Sequence, residues 1–469
     1  MLPVDKKKWK IFFLVATSIF MSTLDSSIVN IALPYMMQDL QTDLQTIQWV
    51  VLIYLVTVSS LLLTFGRFSD IKGRAPVYIL GFTLFVAGSL LCGMARTPQL
   101  LIVSRVVQGC GASMLMACSP ALIVDVFPVQ ERGKVLGMMG AVVAAGLTTG
   151  PAVGGIILEY FSWRFIFYIN IPIGIAAVIG GMFVLKGIPT ARGSNEPMDK
   201  TGSVLLILII SSLIIFLTQL SRWGIASIPS LSFAGLCILA SIGFVANEAR
   251  SDYPLFDMEL LKIKLFIFPV ISSAILFAAL FVIVFMMPFY LTYPCGFSAS
   301  KTGSIMIVLF LFLLFVSPVS GMLYNTFGSR WLCVIGMSIL AVSLISLMQI
   351  HPSMGVLSIL WRIALAGIGT ALFVSPNNTA ILSCVPLSRR GIASGAVATS
   401  RNLGMVIGVA LAGLIFTRSF STLTNGSSLE NYLVEMEPFF MISFKRTMLM
   451  GAILSVFGIG VTFARGKER

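Results

Sequence analysis

Asp25 is a carboxylate in a solvent that disfavours it. It lies in an apolar run from Ile11 to Ile31, opened by Lys6, Lys7, Lys8 and Lys10, and ~20 apolar residues match a bilayer core of ~30 Å. At the helical rise from Ile11, Asp25 is roughly 21 Å deep, where a bare charge costs a few kcal/mol. A proton, a nearby cation or a hydrated cavity relieves that cost, and all three belong to proton-coupled transport. Arg105 lies roughly 7 Å inside the outer end of the run 100–124, and Asp25 roughly 9 Å from the same face, so their depths match. Burial disfavours a charged acid and a neighbouring cation favours it. An acid held between the two can exchange a proton as its surroundings alternate. A permanent Asp25–Arg105 structural pair, or an Arg105 that snorkels to the outer surface, is the alternative.

Arg401, ten residues into the run 391–417, is placed near the midplane with no acid at its depth. It is either satisfied by backbone carbonyls or stands in a cavity, where it would repel cations and favour neutral or anionic compounds. Asn30, Tyr54, Gln108, Gln219, Asn377 and Asn378 are candidates for lining that cavity, although isolated amides and phenols in membranes more often join helix to helix. Asp125 and Glu159 fall near run ends, reach interfacial water and are weaker proton carriers. The 24 methionines and 35 phenylalanines suit an adaptable apolar cavity.

The elements that position these residues follow from composition. Of 469 residues 57% are hydrophobic and 10% charged, more apolar surface than soluble cores can hide. The chain reads as an all-α polytopic membrane protein. Its first run is too long for a signal peptide, contains an acid and lacks a small-residue cleavage site, so it is retained as the first helix. About fourteen runs have spanning length, at 11–31, 46–66, 77–95, 100–124, 134–158, 164–185, 201–220, 229–247, 265–291, 302–323, 331–350, 354–382, 391–417 and 447–464. Both ends then share one face. Lysine and arginine are concentrated on that face, at the termini and in the segments holding Arg67, Lys72, Arg74, Arg132, Lys134, Lys186, Arg192, Lys200, Arg250, Lys262, Lys264, Arg330, Arg389 and Arg390. The positive-inside rule makes it cytoplasmic. Six tryptophans at run ends fit interfacial belts. The net charge of +13 needs no nucleic acid to explain it.

Other chemistries find little support. Cys92, Cys110, Cys118, Cys237 and Cys333 lie inside apolar runs, and His351 stands alone beside Pro352, so no metal is implied. The sequence has no His-Glu-x-x-His, no dinucleotide glycine fingerprint and no phosphate loop, since Ser300 stands where a glycine would precede Lys301. An enzyme is therefore not expected. A membrane sensor would need a soluble domain, and the longest outer loop, near 418–446, is short. Asn425-Gly426-Ser427 reads as a turn rather than a glycosylation site.

The chain repeats itself. Gly66, Asp70, Gly73 and Arg74 recur as Gly321, Asn325, Gly328 and Ser329, Arg105 as Arg362, Ser119-Pro120 as Ser375-Pro376, and Arg132-Gly133 as Arg390-Gly391. Two six-helix bundles, 1–190 and 261–469, are expected around a two-helix insert, 191–260. Parallel repeats of this kind belong to transporters that rock two bundles about a central site.

These residues carry a family resemblance. Gly66-Arg-Phe-Ser-Asp70-Ile-Lys72-Gly73-Arg74 resembles the loop signature of the major facilitator superfamily, and Arg105-Val-Val-Gln108-Gly109-Cys-Gly111 its fourth-helix motif. Gly146-Leu-Thr-Thr-Gly150-Pro151-Ala-Val-Gly154-Gly155 resembles the fifth-helix antiporter motif. Leu24-Asp25-Ser-Ser-Ile-Val-Asn30-Ile-Ala-Leu-Pro34, with Trp163-Arg164 through Asn170-Ile-Pro172-Ile-Gly174, resembles the fourteen-helix drug:proton antiporter branch. In physical terms, Asp70 can accept from a helix N-terminus or pair with a cytoplasmic arginine. With Gly66, Gly73, Arg74 and Arg132 it would form a conformational latch, weaker in the second half where Asn325 replaces the acid. The small residues of 146–155 allow close packing and a bend at Pro151, a closed seam to which Arg401-Asn402-Leu-Gly404 and Gly408 are the expected counterpart.

The resemblance implies a proton-coupled exporter of lipophilic or amphipathic compounds in the cell membrane, with both termini cytoplasmic and no cofactor beyond the proton. Its partners would be the substrate, protons and the bilayer, with a periplasmic adaptor in a source with two membranes. Export of an endogenous lipid or metabolite is the alternative, ahead of symport or sensing.

Overall fold

The computed structural model describes residues 4–187, 198–251, 255, 258–386 and 390–466, with the backbone alone for 4–6, 129, 136, 325 and 390–392. Arg192, Arg389, Lys467, Arg469 and the boundary at 190/191 lie outside the described residues, as does the side chain of Asn325. Fourteen helices are long and apolar enough to cross a membrane: α1 Lys7–Asp39, α2 Leu44–Lys72, α3 Arg74–Met94, α4 Pro98–Val126, α5 Gln130–Tyr160, α6 Phe165–Val184, α7 Lys200–Trp223, α8 Ile228–Glu248, α9 Lys264–Thr292, α10 Ala299–Tyr324, α11 Thr326–Leu347, α12 Val356–Ser383, α13 Ala393–Leu423 and α14 Val434–Phe463. Large apolar side chains such as Phe13, Phe183, Leu239 and Phe315 stand exposed around them, the surface a bilayer would cover.

Two ends differ most from the sequence reading. Helix α1 continues past Ile31 through Pro34 to Asp39, where its last carboxylate accepts from Trp163 Nε1 and Arg164 Nη1, each at 2.9 Å. Helix α14 begins near Val434 rather than 447, so the outer loop expected near 418–446 shrinks to 424–433. Glu435, Glu437, Lys445 and Arg446 had weakened the apolar signal there, but Arg446 donates to Ser419 Oγ on α13 at 3.0 Å and is accommodated within the helix pair.

The repeat is visible in the backbone. At Gly73, between α2 and α3, φ is 94° and ψ 137°; at Gly328, where α10 passes into α11, they are 71° and 167°. A positive φ admits glycine at little cost and resists other residues, so both signatures break their helix at the same place. The direction of travel reverses there: Ser320 donates to Ala371 O and Cys333 to Phe373 O, while Ser343 donates to Arg362 O, so α10 runs with α12 and α11 against it.

Helices α1 to α6 pack on one another, as do α9 to α14, and the two groups meet through α5–α10, α2–α13 and α1–α9. Helix α7 touches both α2 and α13, and α8 packs on α7. Gln45 fastens α7 by donating to Thr218 O at 2.7 Å and Ser221 Oγ at 2.9 Å, with an Arg222–Asp43 ion pair beside it.

Candidate functional site

Five helices of the first half converge on Asp25. Its carboxylate is fully buried and receives Arg105 Nη1 from α4 on Oδ2 at 2.5 Å, Gln108 Nε2 on Oδ1 at 2.8 Å and Asn170 Nδ2 from α6 on Oδ1 at 3.4 Å. Gln108 couples both partners, since its Oε1 accepts from Arg105 Nη1 at 2.6 Å while its Nε2 also donates to Ser89 Oγ on α3 at 2.9 Å. Arg105 Nε donates to Val50 O on α2 at 2.9 Å, and its guanidinium carbon lies 4.2 Å from the centre of the Tyr54 ring. A single turn of α4 thus places Arg105 and Gln108 on one face. The glycine at 88 leaves room for Gln108: a β-carbon there would lie 2.5 Å from the Gln108 backbone nitrogen. Removing either charge from such a pair strands the other in a low-dielectric interior, at about 3–5 kcal/mol.

This cluster is not the cavity. The cavity lies between the halves, lined by Ser22, Thr23 and Ser26 of α1, Tyr54 and Leu55 of α2, Ala144 and Leu147 of α5, Phe277 of α9, Leu313 of α10, Val374 of α12, and Arg401, Asn402 and Met405 of α13, among others. Tyr54 belongs to both sites: its ring covers Arg105, its hydroxyl donates to Ser22 O at 3.3 Å, and it is among the residues that line the cavity.

Of the polar residues assigned to the cavity from sequence, Tyr54 and Arg401 line it and five do not. Gln108 is spent on the ion pair. Asn30 donates to Ser26 O of its own helix at 2.7 Å, the self-satisfaction that polar residues in apolar helices commonly adopt. Asn377 is buried in the second half, bonded to Pro269 O and Arg465. Asn378 is half-buried beside it, and Gln219 is half-buried on α7 and not among the cavity-lining residues. Seen only as isolated polar positions, these could not be assigned a helix face. The serines 22 and 26, which do line the cavity, are too common in membrane helices to stand out.

At the signature loop, Arg74 bridges two acids. Nη2 donates to Asp70 Oδ1 at 3.0 Å, Nη1 pairs with Asp125 at the end of α4, and the same Nη1 donates to Ala121 O at 3.2 Å. Asp125, read from sequence as a weak proton carrier, is a partner of Arg74. Gly66 meets open space, and Arg132 Nε donates to Phe127 O at 3.0 Å. In the second half the place of Arg74 is taken by Ser329, and an arginine arrives from elsewhere: Arg465, fully buried beyond α14, donates to Ser329 Oγ at 2.7 Å and Asn377 Oδ1 at 3.1 Å. Sequence inspection had counted Arg465 only as a terminal positive charge.

The glycines of α5 form the expected seam. A β-carbon at Gly146 would lie 2.1 Å from Thr23 Oγ1, and one at Gly150 1.8 Å from Ser27 Oγ, both on α1. Gly155 and Gly303 bring α5 against α10: a β-carbon at Gly303 would be 2.3 Å from Pro151 O. Glu159 accepts from Ser300 N nearby at 3.1 Å. Toward the chain termini, Gly133, Gly137 and Gly140 of the same helix meet nothing within 4 Å. The close approach of α5 to α10 therefore lies toward the face away from the termini, while nearer the termini Gly395 of α13 comes against Leu63 of α2. On α13, Gly404 and Gly408 lie against the backbone oxygens of Ala274 and Ala278 on α9.

Comparison with known proteins places this geometry. The family model described as Major Facilitator Superfamily matches residues 15–409 and 269–464. The riboflavin transporter RibZ of Clostridioides difficile (strain 630) is 33% identical over 416 residues, 89% of this chain and 90% of the relative. The multidrug resistance protein Stp of Mycobacterium tuberculosis (strain ATCC 25618 / H37Rv) is 28% identical over 405 residues, 86% of this chain and 75% of the relative. Among solved structures, a bacterial homolog to the human lysosomal transporter Spinster, in an inward-facing and unoccupied conformation, shares the fold with a TM-score of 0.69 at 13% identity, covering 99% of this chain and 97% of that one.

Proposed function

Because the chain belongs to the Major Facilitator Superfamily, we propose that it is a proton-coupled exporter that exchanges protons for lipophilic or amphipathic compounds across the cell membrane. The observation that carries the reading is the buried Asp25–Arg105–Gln108 cluster, which shares Tyr54 with the central cavity. A proton on Asp25 removes the charge that holds Arg105. Arg105 is bonded to Val50 and stacked under Tyr54, so its release disturbs the cavity wall; by the same linkage a ligand pressing on Tyr54 alters the proton affinity of Asp25. Relatives named for multidrug resistance and for tetracenomycin C resistance and export favour efflux. With the termini on the cytoplasmic face, the close contact between α5 and α10 would be outermost. Asp70, Arg74 and Asp125 would then brace the first bundle while the halves rock about the cavity.

A second reading, export of an endogenous metabolite, is favoured by the relative named as a riboflavin transporter. The two are separated by substrate-loaded proteoliposomes challenged with a panel of lipophilic drugs, lipids and metabolites, with and without a pH gradient. Uphill movement that needs the gradient supports proton coupling, and the compound class that moves decides between the readings. Equal accumulation with and without the gradient contradicts the proposal.

A further inference from the structure

Among the described residues the buried arginines are held by protein atoms: Arg105 by Asp25, Gln108 and Val50, Arg362 by the carbonyls of Ser346 and Ser358, Arg465 by Ser329, Asn377 and Thr462. Arg401 is different. It lines the central cavity, its Nε is shielded from solvent, and that nitrogen has no hydrogen-bond partner among the described residues. Two further buried polar atoms on the same cavity share this state, Asn402 Nδ2 from the next position of α13 and Ser22 Oγ from α1 in the other half. All three can donate, and no aspartate or glutamate is among the residues that line the cavity. Buried donors in native proteins are nearly always paired, and a guanidinium nitrogen left without a partner is among the costly ones. Opposite these donors the walls are apolar and deformable, with Leu55, Met116, Phe277, Leu313, Val374 and Met405.

We propose that the cavity takes lipophilic organic anions, with a carboxylate or enolate oxygen group bound by Arg401, Asn402 and Ser22 and the apolar body held by the wall residues. An anion beside Arg401 supplies the counter-charge that no lining residue provides. A lipophilic cation would meet Arg401 with no carboxylate to offset it. Because the donors come from both halves, the bound headgroup bridges the bundles that must move apart. This inference deepens the export reading and rests on it for the cavity's role, but the ligand class can be tested without any gradient.

The test is equilibrium binding to the purified full chain in nanodiscs of three fluorescent probes with one apolar body: a long-chain carboxylate, its methyl ester and its trimethylammonium analogue. The carboxylate should bind about tenfold or more tighter than the ester, with the cation weakest. In Arg401→Gln the carboxylate should fall to the level of the ester while the ester is unchanged, and Arg401→Lys should restore part of the difference. An ester or cation bound as tightly as the carboxylate by the wild-type chain overturns the proposal, and so does an equal loss for all three probes in a folded Arg401→Gln. The wild-type ranking needs no variant, so a variant that fails to fold does not shelter the idea. Failure of proton exchange alongside the predicted ranking would count against the coupling reading and leave the ligand class standing.

Discussion

The two halves share a backbone plan and divide the charge unequally. In the first, acids meet arginines: Asp25 with Arg105 in the bundle, Asp70 and Asp125 with Arg74 at the loop. In the second, the arginines corresponding in place, Arg362 and Arg465, are held by carbonyls, hydroxyls and an amide. A carboxylate exists in a protonated and an ionised form, whereas a guanidinium stays protonated. On the proposed function, proton-linked change would fall to the first half, while the second contributes Arg401 to the cavity.

The comparison breaks first at the buried pair. Arg105→Gln should strand Asp25 and lower stability by about 3–5 kcal/mol, and the double variant Asp25→Asn with Arg105→Gln should recover part of it. Thermal unfolding of the four proteins in detergent gives the coupling, and additive losses would show that the pair does not act as one unit.

The helix seams differ less. A β-carbon at Gly408 meets the backbone oxygen of Ala278 at 2.3 Å, whereas one at Gly150 chiefly meets the Ser27 hydroxyl. Backbone cannot rotate away and a hydroxyl can. Gly408→Ala should therefore cost the more, by about 1–3 kcal/mol for overpacking, and Ser27→Ala should relieve Gly150→Ala in part. Equal melting points for the two glycine variants would remove the distinction.

At the loops, Arg74→Met leaves two carboxylates facing each other, while Arg465→Met leaves only neutral acceptors. Cysteine accessibility on the two membrane faces should shift more for Arg74→Met. The acids there are partly exposed, so the stability change should be small, below about 1 kcal/mol. Asp70→Asn should likewise impair cycling more than Asn325→Ala. The smallest effect belongs to the accessory helices: Gln219→Ala, half-buried and outside the cavity, should move stability by no more than about 0.5 kcal/mol and leave coupling intact. Loss of coupling there would bring α7 into the pathway.

Much of this was legible in the residues. Asp25 and Arg105 were matched by depth because a helix converts sequence distance into height, and the structure joins them at 2.5 Å. The glycine signatures at 73 and 328 and the seams of α5 and α13 were legible because small residues at fixed spacing leave few other uses. Height alone does not give azimuth, which is why Asn30, Gln108 and Asn377 were assigned to a cavity they do not line. Long-range partners were hidden for the same reason: nothing local links Arg465 to Asn377, 88 positions away, or Asp125 to Arg74. The early start of α14 was masked by charged residues that packing against α13 accommodates.

The most direct test of proton exchange at Asp25 is a pH dye inside proteoliposomes carrying the wild-type chain or Asp25→Asn. Substrate added on one side should drive protons in the opposite direction through the wild type, and Asp25→Asn should abolish that movement while retaining substrate binding. Protons travelling with the substrate, or an undiminished exchange in Asp25→Asn, would contradict the account.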